Sequence, residues 1–151
     1  MRILFAMVIA LSLGPVFHAH VPQEPDATKA KVFVYMPHHS ATTWRFSGKF
    51  YVDGRRVAEI SKNRYFVLHL APGSHEFYVR DKKLGGLQLT LEPSETYYLK
   101  VNVDEGHARI KFRGLTVVPE GEGGFAIKQI QPIKKDDIYD KNLVDPDVVT
   151  R

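Results

Sequence analysis

The sequence predicts an all-β fold, a small antiparallel β-sandwich of seven to nine strands with one short helix near the C-terminus. Apolar residues recur at every second position over most of the stretch from Lys31 to Val118, the mark of strands with one buried face. Turn-forming residues interrupt that pattern at short intervals: Asp53-Gly54, Ala71-Pro72-Gly73, Leu84-Gly85-Gly86, Glu92-Pro93-Ser94 and Glu105-Gly106. Such spacing favours hairpins in a sandwich or barrel over a parallel sheet. At 151 residues the chain has the size of one domain, which removes roughly two-thirds of its unfolded surface from water.

The first residues stand apart from this pattern. Arg2 precedes an unbroken apolar run from Ile3 to Leu11, continued by Leu13, Val16 and Phe17, and no acid appears before Glu24. A basic start, a short apolar segment and a small residue beyond it describe a secretory signal peptide, ending here near Ala19. Pro15 and His18 interrupt the run before it is long enough to span a bilayer. The expectation is an extracytoplasmic product, periplasmic or secreted, with no transmembrane segment after cleavage. There is no cysteine, so export brings no disulfide and the core must supply the stability. Cutting after Ala19 removes Arg2 and no acid, leaving 20 basic residues against 17 acidic ones, or +3. So small an excess permits an anionic partner and is equally ordinary for solubility.

Residues 20–30 read as a leader and 31–118 as the sandwich. In the second strand Trp44, Phe46, Gly48, Phe50 and Val52 share the inner face, while Arg45, Ser47, Lys49 and Tyr51 point outward. Inner faces follow at Phe66, Leu68 and Leu70, at His75, Phe77 and Val79, at Leu87, Leu89 and Leu91, and at Tyr97, Leu99, Val101 and Val103. The last strand changes phase: Ala108, Ile110 and Phe112 have one parity, Leu115 and Val117 the other. A bulge at Arg113-Gly114 restores a common inner face. After Pro119 the run Glu120-Gly121-Glu122-Gly123-Gly124 reads as a flexible connector, and Phe125, Ile127 and Ile130 have the spacing of a short helix, so 119–133 is a connector with a helix in it. Residues 134–151 mix charges with Pro146 and read as a loosely held polar tail.

Three pieces of the sandwich form a pattern: Phe50-Tyr51-Val52-Asp53-Gly54-Arg55-Arg56-Val57-Ala58-Glu59-Ile60, then Tyr65-Phe66-Val67-Leu68, then Leu70-Ala71-Pro72-Gly73-Ser74-His75. This succession resembles the domain-of-unknown-function family 2846, with its YVDG, YF and LPPGxH elements, and more distantly the PEGA envelope domains. The resemblance covers about residues 31 to 118, with Ala71 where the family commonly has proline. It implies a small extracytoplasmic β-sandwich of cell-envelope proteins and no assigned activity. Turn chemistry accounts for the same residues, because glycine accepts positive φ without steric cost and Pro72 presets a turn that Gly73 completes.

Catalytic patterns are missing from the sequence. No cysteine and no Gly-x-Ser-x-Gly elbow offers a nucleophile. His75-Glu76 begins like a zinc-protease motif, but Val79 stands where the second histidine is required. The Gly121–Gly124 run lacks the lysine of a phosphate loop. His38 and His39 are neighbours on an extended chain and point apart, and His20 would need a second histidine to hold copper, so no metal site or cofactor is expected. The tail lacks the glycine and glutamate positions of a calcium loop.

A binding surface is the remaining expectation. A two-residue hairpin at Glu105-Gly106 pairs Asp104 with His107, Asn102 with Arg109, Lys100 with Lys111 and Tyr98 with Arg113. Tyr98, Lys100, Arg109, Lys111 and Arg113 then form a basic ladder on the polar face, suited to an acidic envelope protein or a polyanion and not to nucleic acid in that compartment. The function expected is therefore an exported, non-catalytic accessory or binding module of the cell envelope. A small-ligand or metal carrier is the alternative, and an enzyme the third reading.

Overall fold

Val32, Val34 and Met36 alternate with Lys31, Phe33 and Tyr35 along β1 (Ala30–Met36), and both sets are needed because this strand lies inside a sheet covered on two faces. The computed structural model describes residues 28–37, 47–81, 83, 85–105 and 110–150. Its other strands are β2 (Ser47–Val52), β3 (Arg55–Ser61), β4 (Arg64–Leu70), β5 (Gly73–Val79), β6 (Leu87–Leu91), β7 (Thr96–Glu105), β8 (Ile110–Val118) and β9 (Gln131–Pro132), with helix α1 at Glu120–Ile127. Nine strands among the described residues fall into two sheets, of order β8-β7-β1-β4-β9 and β3-β2-β5-β6. The expected sandwich is present, though not every pair is antiparallel: β1 runs parallel to β7 and β4 parallel to β9.

The predicted inner faces meet between the sheets. Phe50, Val52, Phe66, Leu68, Leu70, Phe77, Val79, Leu91, Leu99 and Val101 are buried there, and Leu87, Leu89, Tyr97 and Val103 pack against them at its margin. Phe50 meets Phe66 edge to face at 5.3 Å, joining the two layers. Trp44 and Phe46, expected in the same core, lie outside the described residues, as do His20, His38, His39, Ala108 and Arg109.

Turn chemistry acts locally as its residues dictate. Asp53 and Gly54 both have positive φ, 50° and 80°, the geometry of a two-residue turn whose twist matches a hairpin. At Glu92-Pro93-Ser94 the proline takes the second position, Ser94 has φ 63°, and Glu95 N–H donates to the Glu92 carbonyl.

The bulge is where the phase change put it. Asn102 faces Gly114 and Val103 faces Phe112, so Arg113 is the extra residue, and Gly114 has φ 119°. Beyond it Leu115 packs on the core. Val117 has the same parity, opposite Leu99, but is 40% exposed on the outer strand of the sheet, so it does not join that core.

Two expectations for the C-terminal third are corrected. The Glu-Gly run is no flexible connector: it forms the body of α1, which lies on the outer face of the five-stranded sheet. There Tyr35, Tyr98 and Val118 form a second buried cluster with Phe33, Tyr65, Ala126, Ile127 and Ile130. Glu120 and Glu122 stand in the first turn, where carboxylates complement the helix dipole. Phe125 points away and is 67% exposed.

Nor is the polar tail loose. Ile133 and Val144 enter the main core, Tyr139 and Asp140 N–H groups donate to the Val57 carbonyl, and the Leu143 carbonyl and Asp145 N–H bond His69 and Val67 of β4. Val57 is the extra residue of a bulge between β2 and β3, which leaves its carbonyl turned to this segment. Asp140, 8% exposed, pairs with Arg55, and His69 Nε2 lies 3.1 Å from Asp145 Oδ2. Residues 131–150 thus strap the side of the sandwich where β3 and β4 are the outer described strands.

Candidate functional site

The Asp53-Gly54 turn and the Ala71-Pro72-Gly73-Ser74-His75 turn, far apart in sequence, meet at one end of the sandwich. Asp53 Oδ1 accepts from the Glu76 N–H at 2.8 Å, and Asp53 N–H donates to the Glu76 carbonyl at 2.9 Å. Asp53 Oδ2 faces His75 Nδ1 at 2.6 Å, while His75 Nε2 lies 2.8 Å from the Ala71 carbonyl. The two ring nitrogens thus face a carboxylate and a main-chain carbonyl. Partial burial pushes the Asp53 carboxyl up, but the Glu76 N–H and the His75 ring outweigh it and hold the group below the usual carboxylate range. This latch ties the β2–β3 hairpin to the crossover between the sheets.

The basic ladder does not form. Glu105 faces Ile110, Asp104 faces Lys111, Lys100 faces Thr116 and Tyr98 faces Val118. The physical reason is the hydrophobic register: this pairing sets Leu115, which packs on the core, opposite the buried Val101.

Tyr98 is buried under α1, its ring stacked on Phe33 at 5.0 Å, and burial raises its phenol pKa. Lys100 Nζ lies 3.2 Å from Glu122 Oε1, and Arg113 donates to Asp104. Of the five predicted residues, Arg109 lies outside the described residues and the side chain of Lys111 does too. The three whose side chains are described, Tyr98, Lys100 and Arg113, therefore do not form one cationic surface. Tyr35, beside Tyr98, is so fully buried that its phenol is pushed up to about 12, with Glu122 adding to the effect.

A different face carries a half-exposed cluster. On the outer side of the four-stranded sheet Tyr51 and Tyr78 stand opposite each other across β2 and β5, stacked at 4.8 Å with their planes 6° apart. Lys49 and Arg80 are exposed beside them, and Arg80 donates to the Ser47 carbonyl at 3.0 Å. On β3, Glu59 accepts from Ser47 Oγ at 2.7 Å, from Arg56 at 3.2 Å and from the Tyr139 hydroxyl at 3.3 Å. The Ser47 bond foremost, aided by Tyr139 and Arg56, outweighs partial burial and lowers the Glu59 pKa. The Arg56 guanidinium lies 3.3 Å from the centre of the Tyr139 ring. The outward parity of Ser47, Lys49 and Tyr51 was legible in the sequence. Their partners Tyr78, Glu59 and Tyr139 were not, because they arrive from other strands and from the strap.

Among the described residues no three metal-ligating side chains cluster, and no helix is long and apolar enough to cross a membrane. Both described histidines with resolved partners, His69 and His75, face aspartates.

A two-sheet β-sandwich whose end is tied by an Asp-Gly turn and a Pro-Gly-x-His turn defines the class of small β module to which this scaffold belongs. The profile of the family described as "Protein of unknown function (DUF2846)" matches residues 26–115, and the chain belongs to that family. No curated protein and no solved structure matches the chain.

Proposed function

We propose that this chain is an exported, non-catalytic binding or accessory module of the cell envelope. The observation that carries the reading is the use made of the family's own signature. Asp53 and His75, the two ionisable residues that the turn motifs contribute, are bonded to each other and to main-chain groups, so the motif builds a scaffold. Chemistry on a partner then falls to the exposed faces. The outer face of the four-stranded sheet offers stacked tyrosines flanked by Lys49 and Arg80, the residue types that serve interface anchors and anionic recognition. Its partner is an envelope protein or polyanion bearing negative charge. Export is supported by the apolar segment before Ala19, whose removal deletes no residue of the described sandwich, which begins at Thr28.

The test has two arms. Expressed in full, the protein is expected outside the cytoplasm with its N-terminus at or near His20; a soluble cytoplasmic product retaining Met1 would overturn the export reading. The mature protein is expected to be retained on envelope material, more weakly as salt rises. A Lys49→Glu, Tyr78→Ser variant with an unchanged melting curve is expected to lose that retention, and undiminished retention would remove this face as the binding surface.

A further inference from the structure

The sheet edges of this sandwich are treated unequally. On one flank the strap bonds β3 and β4. On the other, β8 carries Lys111, Arg113 and a bulge, features that discourage a further strand. β6 ends the four-stranded sheet with none of these: Leu87-Gln88-Leu89-Thr90-Leu91 holds no charge, proline or bulge, and among the described residues β5 is its one partner. Leu91 is buried, Leu87 and Leu89 are half-buried at the core margin, and Gln88 and Thr90 are exposed.

The main-chain groups that β6 leaves unpaired follow from its neighbours. Asp53 N–H donates to the Glu76 carbonyl, so Glu76 turns its main-chain groups toward β2. Main-chain direction alternates along a strand, so His75 and Phe77 turn toward β6 and bond their partners Leu89 and Leu87. The N–H and carbonyl groups of Gln88 and Thr90 therefore point out from the sheet edge. Glu92, next in that series, gives its N–H to the Tyr97 hydroxyl at 2.9 Å. The unpaired groups of the strand are thus centred on Leu89.

A second β6, related by a two-fold axis at Leu89, satisfies all of them. Gln88 of each copy exchanges both bonds with Thr90 of the other. The same register sets Leu89 against Leu89 and Leu87 against Leu91 on the inner face, where the half-buried leucines lose further contact with water. Uncharged on both faces, the strand meets no like charge in its own copy and offers no opposite charge to a charged partner. We infer that β6 is a self-pairing edge, joining antiparallel to β6 of a second copy of this chain and making the two four-stranded sheets continuous. Strands this short bury less than the roughly 800 Å² per partner of a standard interface, so the dimer is weak, with a dissociation constant on the order of 100 μM. The edge shares no residue with the tyrosine pair and its flanking cations, so loss of the dimer and loss of envelope retention are separate outcomes.

The test is sedimentation equilibrium of the full mature protein up to about 1 mM, where a reversible monomer–dimer equilibrium is expected. Two double variants read the register, each changing only exposed side chains and each checked by its melting curve. Gln88→Lys with Thr90→Lys sets like charges opposite each other at both symmetric pairs, and is expected to weaken the dimer at least about 10-fold at low salt. Gln88→Lys with Thr90→Glu sets opposite charges at the same pairs, and is expected to hold the dimer within about 3-fold of wild type or to strengthen it. A chain that stays monomeric up to about 1 mM would overturn the inference and leave the edge to a strand of some other protein. A dimer that both variants weaken alike, or that neither changes, would also overturn it, because the contact would then lie outside the two-fold β6 register.

Discussion

Gly123 is the residue on which the C-terminal third turns. A Cβ built there would lie 2.4 Å from the Tyr98 ring, so only glycine lets the helix backbone rest on that ring. Glycine inside a helix costs about 1 kcal/mol against alanine in an isolated helix. Gly123→Ala is nevertheless expected to destabilise the protein, by about 1–3 kcal/mol, because the methyl displaces α1 from Tyr98; a raised melting temperature would contradict the packing. Asp53 makes the second residue-scale prediction. Its carboxyl is held below its unfolded value of about 3.9. The group therefore contributes stability above that value, and the contribution disappears as pH falls through the lowered folded value. Asp53→Asn keeps the turn, since asparagine accepts positive φ, and is expected to flatten the loss of stability on acidification below about pH 4, read from melting curves across that range. The turn at Asp53-Gly54 was legible because its geometry needs only its own residues. The bond from Asp53 to His75 was not, because it spans 22 positions and depends on how two hairpins come together.

At the scale of elements, period-two alternation located the strands and the phase change located the β8 bulge. Gly114 there has φ 119° and sits against Gly85, whose own Cβ would come within 3.1 Å of Gly114 Cα. Gly114→Ala is expected to cost about 1–3 kcal/mol through backbone strain, measured by chemical denaturation, and a neutral result would place the bulge elsewhere. The register of β7 on β8 was misread for a definite reason. A Glu-Gly pair is a weaker hairpin signal than Asp-Gly, and the inward residue Leu115 meets Val101 in the register that the longer connection sets. The same weighting explains α1: a glycine-rich run has poor helix propensity, and the aromatic cluster beneath it supplies what propensity lacks. The basic ladder followed from the register and fell with it.

The molecule as a whole is closed by its last twenty residues, which sequence reading left outside the fold. Their apolar members, Ile133, Ile138, Leu143 and Val144, follow neither a helical nor a strand period, because the segment crosses from one sheet edge to the other. Ile133 is fully buried, and Ile133→Ala is expected to cost about 2–5 kcal/mol in denaturant titration; a change below about 0.5 kcal/mol would show the segment to be dispensable to the core. The family profile ends at residue 115, so β8's final residues, α1 and the strap are added to the portion it matches.

Among the described residues that strap supplies the outer hydrogen-bonding partners of β3 and β4. A strand edge with free N–H and carbonyl groups is a template for pairing with another chain. Shortened at Ile133, the protein would offer two such templates side by side, and its solubility at high concentration is expected to fail before its fold does. Light scattering on the shortened chain, compared with the full one at matched concentration, measures the difference. Of the charges that made the segment look like a solvated tail, Asp140 and Asp145 turn inward to Arg55 and His69, while Lys134, Lys135, Asp136, Lys141 and Asp147 face outward and set charge along the edges that the strap's backbone has filled.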